Sequence, residues 1–188
     1  FRSLNRQAAR LKKLTEDLVE ASKASSGSLP VHLAPTDVNV LLSQLAGDYI
    51  EKLEGAQLEP IFHPAPSQPV IQADGQLLSR VLGNLFSNIC KYAMPGTRVY
   101  FESTADEKTV SLTFKNISKY ELNIPAEELM ARFVRGDRAR HTEGSGLGLS
   151  IAQSLTELQG GTFRIEIDGD LFKAVVTFPR ARAESAQL

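Results

Sequence analysis

Residues 74–93, DGQLLSRVLGNLFSNICKYA, constrain the chain most, because one uninterrupted helix there must serve two different surroundings. Asp74 is a good N-cap, and no proline breaks the run until Pro95. At about 100° per residue, Leu78, Leu82, Leu85 and Ile89 fall within roughly a 60° sector, which is a core face. Asn84, Asn88 and Lys91 occupy a second sector of about the same width, roughly a third of a turn away. Two amides and an ammonium beside an apolar stripe are costly to half-bury unless something polar fills the space before them. Two readings follow. One is a solvated helix face. The other is a site for an anion and a hard cation, since amide oxygens suit Mg²⁺ and lysine suits phosphate.

The remainder of the chain narrows the choice. With 188 residues, 42% hydrophobic and 23% charged, it is globular and long enough for a sizeable core. A net charge of −1 gives no argument for nucleic acid or an anionic membrane as a bulk partner. The single cysteine, Cys90, cannot form an internal disulfide and reads as a small packed residue, in keeping with a reducing compartment. No run of about 18 apolar residues is present to span a membrane, and no secretory signal is visible. The first residue is Phe1, which suggests a piece of a longer protein.

Residues 1–25 lack proline and glycine and read as a helix. Leu4, Leu11 and Leu18 recur at heptad spacing, with Leu14 and Ala21 at the second position. Such a stripe is expected to meet a helix of another chain or of upstream sequence, the alternative being the domain that follows. SSGSLP at 25–30 is a linker. A short strand is expected at 31–35. A helix capped by Thr36 or Asp37 then runs to about Leu53, with Val38, Leu41, Leu42 and Leu45 inside. Strand-like pieces follow at 58–62 and 69–72. After the 74–93 helix, 97–103 and 109–115 alternate as a hairpin. A short helical patch at 126–133 interrupts an aperiodic segment, 116–144. A helix from Leu147 to Leu158 ends at Gly160-Gly161, and strands at 162–167 and 171–178 close the domain. The tail after Pro179 is polar. The order predicts an α+β fold, a two-layer α/β sandwich in which one mixed sheet carries helices on one face, with an N-terminal coiled-coil-like helix.

Two further stretches carry chemistry. Gly144, Gly146 and Gly148 alternate just before a helix, where several backbone N–H groups can face one anion, or where glycines only permit close packing. The spacing is not a dinucleotide fingerprint, and there is no Walker lysine. The segment 116–144 is longer than a plain connector and reads as a binding loop. Within ten residues of it, 132–141, Arg132, Arg135, Arg138, Arg140 and His141 stand against Asp137 alone. Beside a glycine-rich anion site, phosphate contact is the better reading of that charge, and Phe133 among them would anchor a lid.

Together these stretches resemble sensor histidine kinases. Asn84-x-x-x-Asn88-x-x-Lys91-Tyr92 resembles their N box, RFVRGD at 132–137 their F box, and GSGLGLS at 144–150 their G2 box, in the family's order. The resemblance covers about residues 31–179, the catalytic ATP-binding domain with a Bergerat-type fold shared with gyrase, mismatch-repair and heat-shock ATPases. Residues 1–26 resemble the second helix of the dimerisation and phosphoacceptor hairpin, and 180–188 form the tail. The resemblance implies ATP and Mg²⁺ as cofactors. Asn88 would hold Mg²⁺ with Asn84 assisting, Lys91 would contact phosphate and Tyr92 would line the nucleotide. Gly144, Gly146, Leu147 and Gly148 would wrap the phosphates, Phe133 would anchor the lid, Arg135 would reach the γ-phosphate, and Thr177 would back the adenine pocket. It further implies a homodimer through the N-terminal helices and a response-regulator receiver domain as partner. Localisation would be cytoplasmic, with membrane attachment only through upstream segments.

Two departures stand out. Where the family has Asp-x-Gly-x-Gly, with the Asp accepting from the adenine amino group, this chain reads Asn116-Ile117-Ser118-Lys119. An Asn carbonyl still accepts that bond, but the charge and the glycines are gone. No histidine has the phosphoacceptor context: His32, His63 and His141 read as surface or lid residues. The function implied is transfer of the γ-phosphoryl of MgATP to a histidine outside this chain. The alternative is a degenerate nucleotide-binding module without transferase activity. A hydrolytic ATPase is disfavoured, because Asn84 cannot take a proton from water.

Overall fold

The computed structural model describes residues 2–122, 125 and 147–181, without the side chains of residues 2–7, 9, 10, 13 and 14. In chain order the elements are α1 (Arg2–Ser25), β1 (Ala34–Asp37), α2 (Val38–Gly55), β2 (Glu59–His63), β3 (Val70–Ala73), α3 (Gly75–Tyr92), β4 (Arg98–Ala105), β5 (Thr109–Ile117), α4 (Gly148–Leu158), β6 (Thr162–Asp168) and β7 (Leu171–Pro179). The expected helical patch at 126–133 lies outside the described residues.

Strands β2-β4-β5-β7-β6 form a mixed sheet in that order, parallel between β2 and β4 and antiparallel elsewhere. A single sheet is expected from the sequence; the structure has two. β1 and β3 pair with each other as a separate antiparallel ribbon. The ribbon attaches past the end of β7, through an Ile71–Arg180 bridge and the Ala181 N–H on the Val70 carbonyl. Its first strand also begins later than expected, at Ala34, and Asp37 both ends it and caps α2 by accepting from the N–H groups of Asn39 and Val40.

α3 lies on the sheet through its apolar stripe. Leu78, Val81, Leu82, Leu85, Phe86 and Ile89 are buried. Phe86 stacks on Phe101 at 4.5 Å between centroids, meets Phe114 edge-on at 5.2 Å, and is covered by Tyr49 of α2 at 5.0 Å. Each such ring contributes about 1.5–3 kcal/mol by leaving water. Strand alternation sends Val110, Leu112, Phe114 and Asn116 of β5, and Phe172, Ala174, Val176 and Phe178 of β7, to this helical side. The other side of the sheet carries ion pairs, Lys115–Glu102 and Lys173–Glu166, each at 2.7 Å. The turn into β6 is tight: a Cβ on Gly161 would meet the Phe178 ring at 2.7 Å.

The described leucines of the N-terminal helix's heptad stripe are not buried within this chain. Leu11 and Leu18 remain 66% and 61% exposed. A different face docks on α3 and α4: Asp17 and Ala24 are buried, and Arg80 of α3 binds Asp17 at 3.0 Å and Glu20 at 2.8 Å. Positions 17, 20 and 24 line one side of a helix, a side that heptad counting on leucines passes over.

Candidate nucleotide site

The site is built where the C-terminal half of α3, the end of β5 and the start of α4 converge. Backbone bonds fix the first two together. Met94 donates its N–H to the Ile117 carbonyl at 2.8 Å, and Lys119 donates to the Tyr92 carbonyl at 2.9 Å. This stitching sets Asn116 of β5, 2% exposed and inward-facing beside Phe172, next to the helix end that carries Lys91 and Tyr92. Tyr120, just beyond, meets the Tyr92 ring at 6.5 Å in an edge contact.

The third wall follows from helix geometry. The Gln159 side chain, at the end of α4, accepts from the Asp74 N–H, at the start of α3, at 2.9 Å. The two helices therefore run antiparallel. The 11 residues of α4 rise about 16 Å, which returns its N-terminus level with the Asn84–Asn88 turn of α3. That N-terminus has no side-chain cap: Leu147 stands at the N-cap position, and Ser150 Oγ turns back to the Leu147 carbonyl at 2.9 Å. Among the described residues no side chain caps the N–H groups of Gly148, Leu149 and Ser150, which could face another acceptor.

Two polar atoms decide how this wall is read. Asn84 Nδ2 and Asn116 Oδ1 are buried and have no hydrogen-bond partner. Leaving such an atom unpaired costs about 1–3 kcal/mol, so these two mark the place where polar atoms of a ligand are wanted. Asn88, Lys91 and Tyr92 are half-buried on the same half of α3. No cluster of His, Cys, Asp or Glu fit for a metal exists among the described residues. The protein donors here are side-chain amides, which suits a Mg²⁺ carried in on phosphates rather than one caged by protein. Asn84 and Asn88, one turn apart, offer that set. Cys90, on the same helix, is half-buried and burial pushes its thiol up, in keeping with a packed residue and not a nucleophile.

Of the residues named from the sequence, Asn84, Asn88, Lys91, Tyr92, Asn116, Leu147 and Gly148 gather in this region. Thr177 does not. It stands five positions along β7 from Phe172, the partner of Asn116, and on the opposite face of the sheet, with its hydroxyl 2.8 Å from Ser111 Oγ. Strand parity removes it from the pocket. Arg132, Phe133, Arg135, Gly144 and Gly146 lie outside the described residues. Tyr120 was not singled out by sequence; its place four residues after Asn116, in a turn pinned to Tyr92, was the only signal.

The arrangement finds its match in known proteins. Residues 73–182 match the family of histidine kinase-, DNA gyrase B-, and HSP90-like ATPases. The chain belongs to this family. Among curated relatives, Sensor histidine kinase HprS of Escherichia coli (strain K12) is 32% identical over 152 residues, covering 81% of this chain and 33% of that protein. The chain spans about a third of the length of the curated relatives it matches first. Two solved structures share the fold. Full-length ShkA in complex with AMPPNP superposes with a TM-score of 0.76 at 23% identity, over 97% of this chain and 39% of that one. Histidine kinase ThkA in complex with the response regulator protein TrrA superposes with a TM-score of 0.69 at 18% identity, over 94% and 49%. As a member of this family, the chain is an ATP-binding catalytic domain of the sensor histidine kinase type.

Proposed function

We propose that this domain positions MgATP for transfer of its γ-phosphoryl group to the imidazole of a histidine on a helix outside the chain. The observation that carries the reading is the pair of unpartnered buried amide atoms, Asn84 Nδ2 and Asn116 Oδ1, together with a helix start that has no side-chain cap. Asn116 Oδ1 would accept from the base, and Tyr92 with Tyr120 would flank it. Asn88 would hold Mg²⁺ with its amide oxygen, helped by Asn84, whose amide can present oxygen after a half-turn. When bound, the ion neutralises phosphate charge. Lys91, Arg135 and the N–H groups at the start of α4 would hold the phosphates in line, with Gly144, Gly146 and Gly148 letting backbone approach and Phe133 closing the lid. Because the polar stripe of α3 carries amides and a lysine but no carboxylate, it offers no general base to activate water, which favours transfer over hydrolysis.

The finer organisation belongs to the same proposal. Residues 1–26 would be the second dimerisation helix, 31–179 the catalytic domain and 180–188 the tail. The exposed Leu11 and Leu18 would pair with a second copy. A response-regulator receiver domain would take the phosphoryl group onward, as the ThkA complex suggests by analogy. The domain would lie in the cytoplasm, attached to a membrane through upstream segments. The test uses the purified chain, γ-labelled ATP and a separately made acceptor hairpin. Label on the hairpin histidine is the expected result; binding of ATP with no label on any histidine would refute transfer. Arg135→Ala should bind ATP normally and transfer slowly, and transfer at the wild-type rate would remove its assigned role.

A further inference from the structure

We propose that this site accepts 6-oxo purine nucleotides as well as adenine nucleotides, with Asn116 reading the 6-position of the base. The inference rests on the nucleotide reading above and concerns what the base end of that site can distinguish.

Asn116 is 2% exposed, and no donor reaches its Oδ1. No hydrogen bond among the described residues fixes which way its amide faces. The neighbouring polar groups are already committed: Ser118 Oγ accepts from the Tyr120 N–H at 3.1 Å, and the Ser118 N–H donates to the Asp170 carbonyl at 2.8 Å. The amide can therefore turn over without losing a partner.

That freedom has a chemical consequence. A carboxylate has acceptors only. It takes a hydrogen from the adenine 6-amino group and meets a 6-oxo group acceptor against acceptor, with its own charge added. A carboxamide carries an acceptor and a donor side by side. In one orientation Oδ1 accepts from the 6-amino group and Nδ2 donates to N1 of adenine. In the other, Nδ2 donates to the 6-oxygen and Oδ1 accepts from N1–H. The donor–acceptor order along the base edge reverses between the two purines, and the half-turn of the amide reverses with it. Neither base leaves the buried oxygen unpaired, so the site lacks the penalty on which rejection of one of them would depend.

Calorimetric titration of the purified chain with MgATP, MgITP and MgGTP tests this. ITP differs from ATP only at the 6-position and the N1 proton; GTP adds the 2-amino group and reports on space. Wild type is expected to bind ITP within about tenfold of ATP, a gap of about one net hydrogen bond. Asn116→Asp, whatever its absolute affinity for ATP, should raise the ATP/ITP affinity ratio at least about tenfold over wild type. Wild-type discrimination of about a hundredfold or more against ITP overturns the proposal while leaving the nucleotide site standing, and that comparison needs no variant. An Asn116→Asp chain that folds, binds ATP and shows an unchanged ATP/ITP ratio also overturns it. Failure of all three nucleotides to bind would instead refute the nucleotide reading itself.

Discussion

The two halves of α3 obey opposite rules. At its start the N–H and both carboxyl oxygens of Asp74 are paired. Asp74 caps the helix by accepting from the N–H groups of Gln76 and Leu77, accepts a third bond from the His32 N–H, and donates its own N–H to Gln159. Those bonds, the His32 N–H first, hold its carboxyl below the usual range against the opposing effect of burial. Further along, Asn84 Nδ2 is buried with nothing to bind, and so is Asn116 Oδ1 on the strand beside the helix end. The same helix thus shows what polar groups look like when they serve the fold and when they wait for a ligand. The completed end sets the position of α4, and through it the position of the incomplete one.

Substitutions at the two ends should separate stability from binding. The largest effect is expected from Asn88→Ala: Mg-dependent nucleotide binding should fall at least about a hundredfold, since a half-buried site loses its metal-facing oxygen, with the melting temperature little changed. Titration with and without Mg²⁺ checks it; an unchanged affinity would place the ion elsewhere. Asp74→Ala should do the reverse, costing about 2 kcal/mol in denaturant unfolding while nucleotide affinity of the folded fraction holds. Because the folded carboxyl titrates lower than the unfolded one, its contribution is present above the ordinary value near 3.8 and is lost as pH falls through the folded value. The variant should therefore show a flatter acid limb, and an acid limb identical to wild type would deny the cap that role.

Asn84→Leu sharpens the contrast. Removing an unpartnered buried donor should leave stability unchanged or raise it by about 1 kcal/mol, while nucleotide binding weakens at least about tenfold. A loss of stability with binding intact would make Asn84 a structural residue. The smallest effect is expected from Arg80→Met, midway along the helix. Its guanidinium is 41% exposed and Glu20 is partly exposed, but Asp17 is buried, so the cost is held to about 1 kcal/mol only if α1 lifts and lets that carboxylate regain water. Faster hydrogen exchange in α1, with none in α3, is the readout; uniform exchange would mean that the ion pairs do not hold α1.

Much of this was legible in the sequence where one physical rule acts alone. Helical periodicity and two Asp caps gave α2 and α3 nearly to the residue, and strand alternation gave β4 to β7. The Asn84, Asn88, Lys91 sector was also readable, because polar side chains at helical spacing beside an apolar stripe need an explanation; Asn116 was reached only through the family resemblance. The failures arose where distant contacts decide. The helix α1 docks through Asp17 and Ala24, a contact set by Arg80 of α3 that the leucine spacing, which concerns pairing with another helix, does not report. β1 has too few residues, one of them proline, to join a long ladder, and pairs instead with β3. Thr177 matched a family position on the last strand, whereas register and parity, known only once β7 is paired, turn it to the other face.

The central claim is that the amides of Asn84, Asn88 and Asn116 and the N–H groups at the start of α4 face one nucleotide. Side-chain and backbone amide NMR of the chain, titrated with a non-hydrolysable ATP analogue and Mg²⁺, measures this directly. The three asparagine side-chain signals and the backbone signals of residues 148–150 should shift together, with the Asp74 and Gln159 signals nearly still. Shifts confined to other surfaces, or saturating binding that leaves those asparagines unmoved, would contradict it.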